Sequence, residues 1–457
     1  MKSFWFLPLI ILLFGIGCST PENTKDQNMS VHPREIIQAD WVKDAIIYEV
    51  NIRQFTPEGT FKAFESHLPR LRELGVDILW LMPIHPIGEE NKKGPLGSYY
   101  AVRDYYAINP EFGTREDFKN LVKKVHELDM YLILDWVPNH TAWDNELANR
   151  HPDWYYLDDQ GDFMPPIGTD WTDVIALDYS NRALQKYMKD ALTYWVEEFD
   201  IDGYRCDVAG YVPTPFWREA RARLDSIKPV FMLAEWEQRD MYDAFDMTYA
   251  WELESLLQKV AQGEENASVI KKYLDEHFNT YPLDYIRMNF TSNHDKNSWE
   301  GTVFDRFGKA AEVFAVLTYT VEGMPLIYSG QEVGLKKELR FFEKDTIMWG
   351  DHPFNALYAR LGKLKKDHPV LWNGKWGGRV KSLETTLPEK VVAFTRKKEK
   401  SRVFAMFNMS DQPVEFSIKG TTRHTGKYKS FVTRENIEID EEESYQLGPW
   451  KYEILIK

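Results

Sequence analysis

Residues 131–140 read YLILDWVPNH, an apolar run that turns polar near its end and closes on His140. Three later stretches follow the same plan: GYRCD ends at Asp207, LAEW carries Glu235, and SNHD ends at Asp295. Each begins in, or follows, a strand-like run. A parallel barrel presents reactive groups in this way, at the C-terminal ends of its strands. Three carboxylates so delivered, with Arg205 and two histidines beside them, suit acid–base or nucleophilic chemistry.

The segments around these stretches alternate in period. Upstream, residues 45–50 (AIIYEV) and 77–82 (DILWLM) read as strands. Between them Phe61, Phe64, Leu68, Leu71 and Leu74 share one helical face that stops at Gly75. Thr114 and Asp117 fit a capping box that opens a helix carrying Phe118, Leu121, Val122, Val125 and Leu128. From Thr141 to about Leu177 the rhythm breaks. This stretch is rich in Trp, Asp, Pro and Gly and has no helical period; so long an excursion inside a domain is usually functional. The alternation then resumes, with a helix marked by Leu184, Met188, Leu192, Trp195 and Phe199 and strands at 203–208, 230–236, 245–249, 286–290 and 325–329.

A count of about eight strand–helix units predicts a (β/α)8 TIM barrel over 41–367, with an inserted subdomain at about 141–177 after the third strand. The other arrangement is a doubly wound open sheet. No Gly-rich phosphate loop follows the first strand, which counts against a nucleotide-binding version. Beyond His368 the period becomes alternating. VVAFTR, RVFAMFNMS, VEFSIK, KYKSFVT and YEILIK predict a C-terminal all-β sandwich over 368–457.

With 457 residues and 43% hydrophobic content the chain can bury a large core and build more than one domain. Its net charge of −15 argues against nucleic acid or an anionic membrane as partner. The 16 Trp and 24 Tyr suit sugar rings, but composition alone favours core packing for them. At the N-terminus Lys2 precedes an apolar run from Phe4 to Ile16, then Gly17-Cys18. That run is short of the roughly 20 apolar residues of a membrane span and reads as a signal peptide over 1–18. A small residue followed by Cys18 resembles a bacterial lipobox, which implies lipid on Cys18, a place in the cell envelope, and no other membrane contact. Residues 19–40 read as a flexible tether. The remaining cysteine is Cys206, so a lipidated Cys18 leaves no intramolecular disulfide.

Taken in order, the four stretches resemble the four signature regions of the α-amylase superfamily, glycoside hydrolase family 13. The resemblance extends over the barrel, the insertion and the C-terminal domain. It implies cleavage of α-glucosidic bonds with retention of configuration, in starch-like glucans or malto-oligosaccharides. Residue by residue, Asp207 matches the nucleophile, Glu235 the general acid/base and Asp295 the third carboxylate, which holds sugar hydroxyls. Arg205 matches the arginine beside the nucleophile; strand alternation puts both on one face, and its charge is expected to keep Asp207 ionised. His140 and His294 match sugar-binding histidines. Tyr100, in GSYYAVRDYY, matches a tyrosine that stacks on the same sugar, and Asp104 a neighbouring structural carboxylate. Glu235 is expected to titrate high, with Leu233 and Trp236 as apolar neighbours.

The resemblance implies no cofactor for the chemistry. It does imply a structural calcium ion in many relatives, for which Asn139 and Asp178 match ligand positions. The Lys-His pair usual after the nucleophile is replaced by Gly210-Tyr211. A transglycosylase or sugar isomerase would share every catalytic residue. A glycan-binding protein on an inactive barrel is disfavoured, because both Asp207 and Glu235 are present.

Overall fold

The computed structural model describes residues 36, 38–419, 425–439 and 444–457. The signal peptide, Cys18 and most of the tether lie outside the described residues.

Eight parallel strands close into a barrel. In chain order they are Ile47–Val50, Ile78–Leu81, Tyr131–Trp136, Gly203–Cys206, Phe231–Ala234, Met247–Tyr249, Ile286–Asn289 and Met324–Tyr328. All eight fall where alternation of period places them. Every strand is buried, which is why their sequences read as apolar runs. The interior is filled by alternate residues, among them Ile47, Ile78, Ile133, Phe231, Leu233, Met247 and Ile286. The outer faces of the strands pack on the surrounding helices in a second, larger cluster.

The helices follow their sequence signals. Arg115–Glu127 opens on a capping box made by Thr114 and Asp117, and Arg182–Phe199 buries Leu184, Met188, Leu192, Trp195 and Phe199. The stretch read as one helix from Phe61 to Leu74 is broken. Phe61–Phe64, a 3-10 turn and Leu68–Leu74 follow one another, with Pro69 in the first turn of the last piece. A proline tolerates that position because its missing N–H is not needed there. Ala311–Thr320 is buried all round, so it carries no amphipathic stripe.

The insertion is not structureless. His140–Ala142 pairs antiparallel with Val174–Ala176, and Glu146–Arg150 is a short helix. Strands of three residues are too short to show a period. The C-terminal domain is a six-stranded antiparallel sheet faced by a two-stranded ribbon, Val414–Ser417 with Ser444–Leu447. Val391, Phe404, Met406, Phe416 and Tyr445 share the core between them. Val380–Ser382, Asn436–Ile439 and the ribbon's second strand join the five strands read from alternation.

Candidate functional site

The interior row that fills the barrel continues, two residues further along each strand, into polar side chains. Beyond Ile47 comes Glu49, beyond Ile78 Trp80, beyond Ile133 Asp135, and beyond Leu233 Glu235. Gly203 leads to Arg205 and then Asp207 on the same face. Register pairs Glu49 with Trp80 and Asp135 with Arg205, while Arg205 lies opposite Leu233, two residues short of Glu235, so the layer steps along the barrel.

Arg205 is the centre of the layer and is fully buried. Its Nη1 donates to Asp135 Oδ1 at 2.8 Å and to Asp207 Oδ1 at 3.1 Å. Nη2 forms an ion pair with Glu235 Oε1 at 2.8 Å, and Nε donates to the Tyr249 hydroxyl at 3.1 Å. One guanidinium therefore ties Asp207 and Glu235 together. Glu235 Oε2 also accepts the Val208 amide at 2.7 Å. Val208 sits in the left-handed region at φ 36°, unusual for a β-branched residue. The strained turn just after Asp207 is what points that amide at Glu235.

The remaining sequence-predicted residues join them. Tyr100 donates to Asp135 Oδ2 at 3.0 Å, and its hydroxyl lies 2.8 Å from His294 Nε2. The two rings stack at 5.4 Å. His294 Nδ1 is 2.5 Å from Glu49 Oε1, and Nε2 is 3.4 Å from Asp295 Oδ1. His140 packs against Trp171 from the insertion, ring centres 5.4 Å apart. Asp295 is the most open of the three carboxylates, 40% exposed against 10% for Asp207 and 13% for Glu235.

Burial dominates the electrostatics. Removal from water raises Glu235, and the Asp295 charge adds to the rise, while Arg205 opposes it. Asp207 is pushed well above the carboxylate range by burial and then by Glu235. Arg205 lowers Asp207, in the expected direction, but it ranks behind burial and the Glu235 charge, so the net direction is upward. Both carboxyls are therefore held above the usual carboxylate range. His140 is driven down to about 3 by burial and is neutral. His294 goes the other way, up to about 9, because the Asp295 and Glu49 charges outweigh its burial.

Of these groups Tyr100, His140, Asp207, Glu235, His294 and Asp295 line a cavity of about 510 Å³. Its far wall is aromatic: Trp299 lies 5.4 Å from Phe341 and 5.8 Å from Phe342, and Phe341 stacks on Tyr100 at 6.2 Å. Lys93 closes the rim between two loops, with Nζ 3.0 Å from Asp173 Oδ1 of the insertion. Its own loop is pinned to the aromatic wall where the Leu96 amide donates to Phe342 O at 3.0 Å.

The alpha-amylase catalytic-domain model matches residues 22–378, most of the chain. The chain belongs to the alpha-amylase family. Among solved structures it is similar to the maltogenic alpha-amylase AmyB from Thermotoga neapolitana. Identity is 32%, with 91% of this chain and 99% of that chain covered, and the TM-score is 0.84. An alpha-amylase from Lactobacillus plantarum matches at 32% identity and a TM-score of 0.81, again over 91% and 99% of the two chains. Alpha-amylase MalA from Haloarcula japonica is 26% identical over 85% of this chain and 59% of its own length. The chain thus spans less than two thirds of that relative.

The family's calcium does not fit the residues present. Asp178 accepts the Ser180 amide and the Ser180 hydroxyl, each at 2.8 Å, while the Asn139 amide group faces His140 Nδ1 at 3.3 Å. Among the described residues no group of three His, Cys, Asp or Glu is arranged to hold a metal ion. At the position after the nucleophile the family's Lys-His gives way to Gly210 for a packing reason. A Cβ on Gly210 would lie 2.0 Å from Trp236 Cε2, so the Trp236 ring occupies that space. Tyr211 packs edge-on to Trp236 at 5.5 Å and is half exposed.

Asp104 is exposed, and its Oδ1 accepts the Tyr106 amide outside the cavity. The carboxylate built into the alpha-amylase site is Asp135. It stood in DWVPNH as a lone charge at the end of an apolar run, and that was its signal. Glu49 in AIIYEV carried the same signal. Phe341, Phe342 and Lys93 come from loops and Trp299 from a single π-helical turn, Lys296–Glu300, and nothing local marked them.

Proposed function

We propose that this protein hydrolyses α-glucosidic bonds in malto-oligosaccharides or related α-glucans with retention of configuration. The observation that carries the reading is the Arg205 bridge between Asp207 and Glu235 at the floor of an aromatic-walled cavity. Two carboxyls held by one cation can supply what a retaining mechanism needs, a proton donor and an ionised nucleophile. In this reading Asp207 attacks the anomeric carbon. Glu235 protonates the departing oxygen and then takes a proton from water to release the glycosyl-enzyme. Asp295, His140 and His294 hold sugar hydroxyls, and Tyr100 stacks on the ring. Arg205 keeps the two carboxyls in register. Side chains alone carry these steps.

The cleft supports a short glycan. The Lys93–Asp173 tie and the Trp299–Phe341–Phe342 wall bound the cavity on the Tyr100 side. Tyr211 and Trp236 form an open aromatic ledge beside Glu235. Relatives named cyclomaltodextrinase and maltogenic alpha-amylase are in keeping with such substrates. The lipobox-like Gly17-Cys18 supports a lipid-anchored protein of the cell envelope, in the periplasm or at the outer membrane.

Incubation with amylose, pullulan and maltotriose, beside the Asp207→Asn variant, tests the reading. Short oligosaccharides of retained configuration from the wild type alone support it. Longer or isomerised sugars would move the assignment to transfer or isomerisation on the same residues, and no turnover on any of them would sink it.

A further inference from the structure

We propose that Glu49, which lies outside the four signature stretches, is a positioning residue: its carboxylate takes the Nδ1 proton of His294 and fixes that ring as an imidazolium whose Nε2–H points at Tyr100 and Asp295. The catalytic part of this proposal rests on the hydrolase reading above.

Proton counting carries the argument. Asp135 pairs with Arg205 through Oδ1, and its Oδ2 accepts from Trp80 Nε1 at 3.1 Å and from the Tyr100 hydroxyl at 3.0 Å. The single hydroxyl proton of Tyr100 is thereby committed to Asp135. The 2.8 Å contact between Tyr100 and His294 then requires the proton on His294 Nε2. On the other side of the ring, Nδ1 stands 2.5 Å from Glu49 Oε1. A neutral ring protonated only at Nε2 would set a bare nitrogen lone pair against a carboxylate oxygen at that distance. A proton must lie between them. Asp295, 3.4 Å from Nε2, adds a second negative charge beside the ring and favours keeping that proton on His294.

The surroundings of Glu49 agree. It sits fully buried on the first barrel strand, and its Oε2 has no hydrogen-bond partner among the described residues. A buried carboxylate with one side-chain contact is a poor structural tie; its contact is the imidazole. The charged and titratable groups facing His294 are Glu49, Asp295, Tyr100, Asp135, Glu235 and Arg205, and of these Arg205 opposes the imidazolium. Trp80 packs edge-on to the ring at 5.9 Å and limits its rotation.

The consequence for the reaction is a fixed positive charge on the cleft floor, beside Tyr100 and Asp295. A neutral His294 is free to adopt the other tautomer, accept from Tyr100 and break the Tyr100–Asp135 bond.

The test has two independent readouts. The first is 15N NMR of histidine-labelled wild-type protein at pH 7.5, with the His294 signal identified by its loss in His294→Gln. Both ring nitrogens protonated is the expected result. A neutral ring, as when Glu49 holds the proton instead, would overturn the proposal whether or not the protein is a hydrolase. The second is Glu49→Gln, which keeps shape and an acceptor but removes the charge. Its kcat/KM on maltotriose is expected to fall at least tenfold at pH 8 and much less at pH 5.5, with the basic limb moved at least one pH unit toward acid. An equal fall at all pH values, or none, would reduce Glu49 to a packing residue. Should the variant fail to fold, the wild-type spectrum alone decides.

Discussion

The Arg205 Nη2–Glu235 Oε1 ion pair, 2.8 Å long and buried on the arginine side, joins the proposed acid to the cation beside the proposed nucleophile. The same guanidinium reaches Asp207 and Asp135 through Nη1. A planar fork spreads its charge and donors across three carboxylates; an ammonium concentrates the same charge on one atom. Arg205→Lys is therefore expected to lower kcat/KM by about 100-fold or more, the range for removing one well-placed donor. Kinetics across pH beside thermal melts check this. A loss under tenfold would mean that charge, not geometry, is what the site requires.

Asp207→Asn should abolish turnover and yet make the protein more heat-stable near pH 7. A carboxyl whose folded pKa is raised contributes stability below its unfolded value and opposes folding as pH rises above it. Asp207 is raised well above its usual range by burial and by Glu235, so the amide relieves a penalty present at neutral pH. A rise in Tm of about 2–4 °C fits a protein of this size. An unchanged or lower Tm would show that the Arg205 contact outweighs the repulsion.

His294 should impose a pH window on stability. Its pKa is raised from 6.5 to about 9 by Asp295 and Glu49. The stabilisation is fully present below pH 6.5 and is lost as pH climbs through about 9. Urea melts of wild type and His294→Gln at pH 6, 8 and 10 should give a stability difference that shrinks with pH. A constant difference would contradict an imidazolium in the folded state.

Gly210→Ala places a methyl group where Trp236 now lies, 2.0 Å from Cε2. Overpacking of this kind typically costs about 1–3 kcal/mol, and Trp236 is the neighbour of Glu235. Lower Tm together with lower kcat is expected by calorimetry and steady-state kinetics. Loss of stability with intact kcat would place the Trp236 ring outside the reaction.

Trp299 is 58% exposed at the cavity wall, so Trp299→Ala should leave stability within about 0.5 kcal/mol. Losing one stacking face of roughly 1 kcal/mol should raise KM for maltotriose about fivefold with kcat little changed. An unchanged KM would remove the aromatic wall from substrate binding.

The periodicity of the sequence determined the barrel, because strands buried on both faces must be continuous apolar runs, and eight of them were visible at the positions found. Asp207, Glu235 and Asp295 were marked not by any one charge near a strand end, which is more often structural, but by all of them standing together in motifs that occur in order. Asp135 and Glu49 were legible as isolated charges, but their partners were not. Only closure of the barrel brings Glu49 of the first strand against His294, just past the seventh, 245 residues apart. The protonation of that histidine, the sharing of Arg205 among three carboxylates and the net rise of Asp207 follow from burial and distance, which no local pattern encodes. The rim is a tertiary fact for the same reason. Lys93, Asp173, Trp299 and Phe342 come from four separate segments between the barrel strands, and the folded chain alone makes them neighbours.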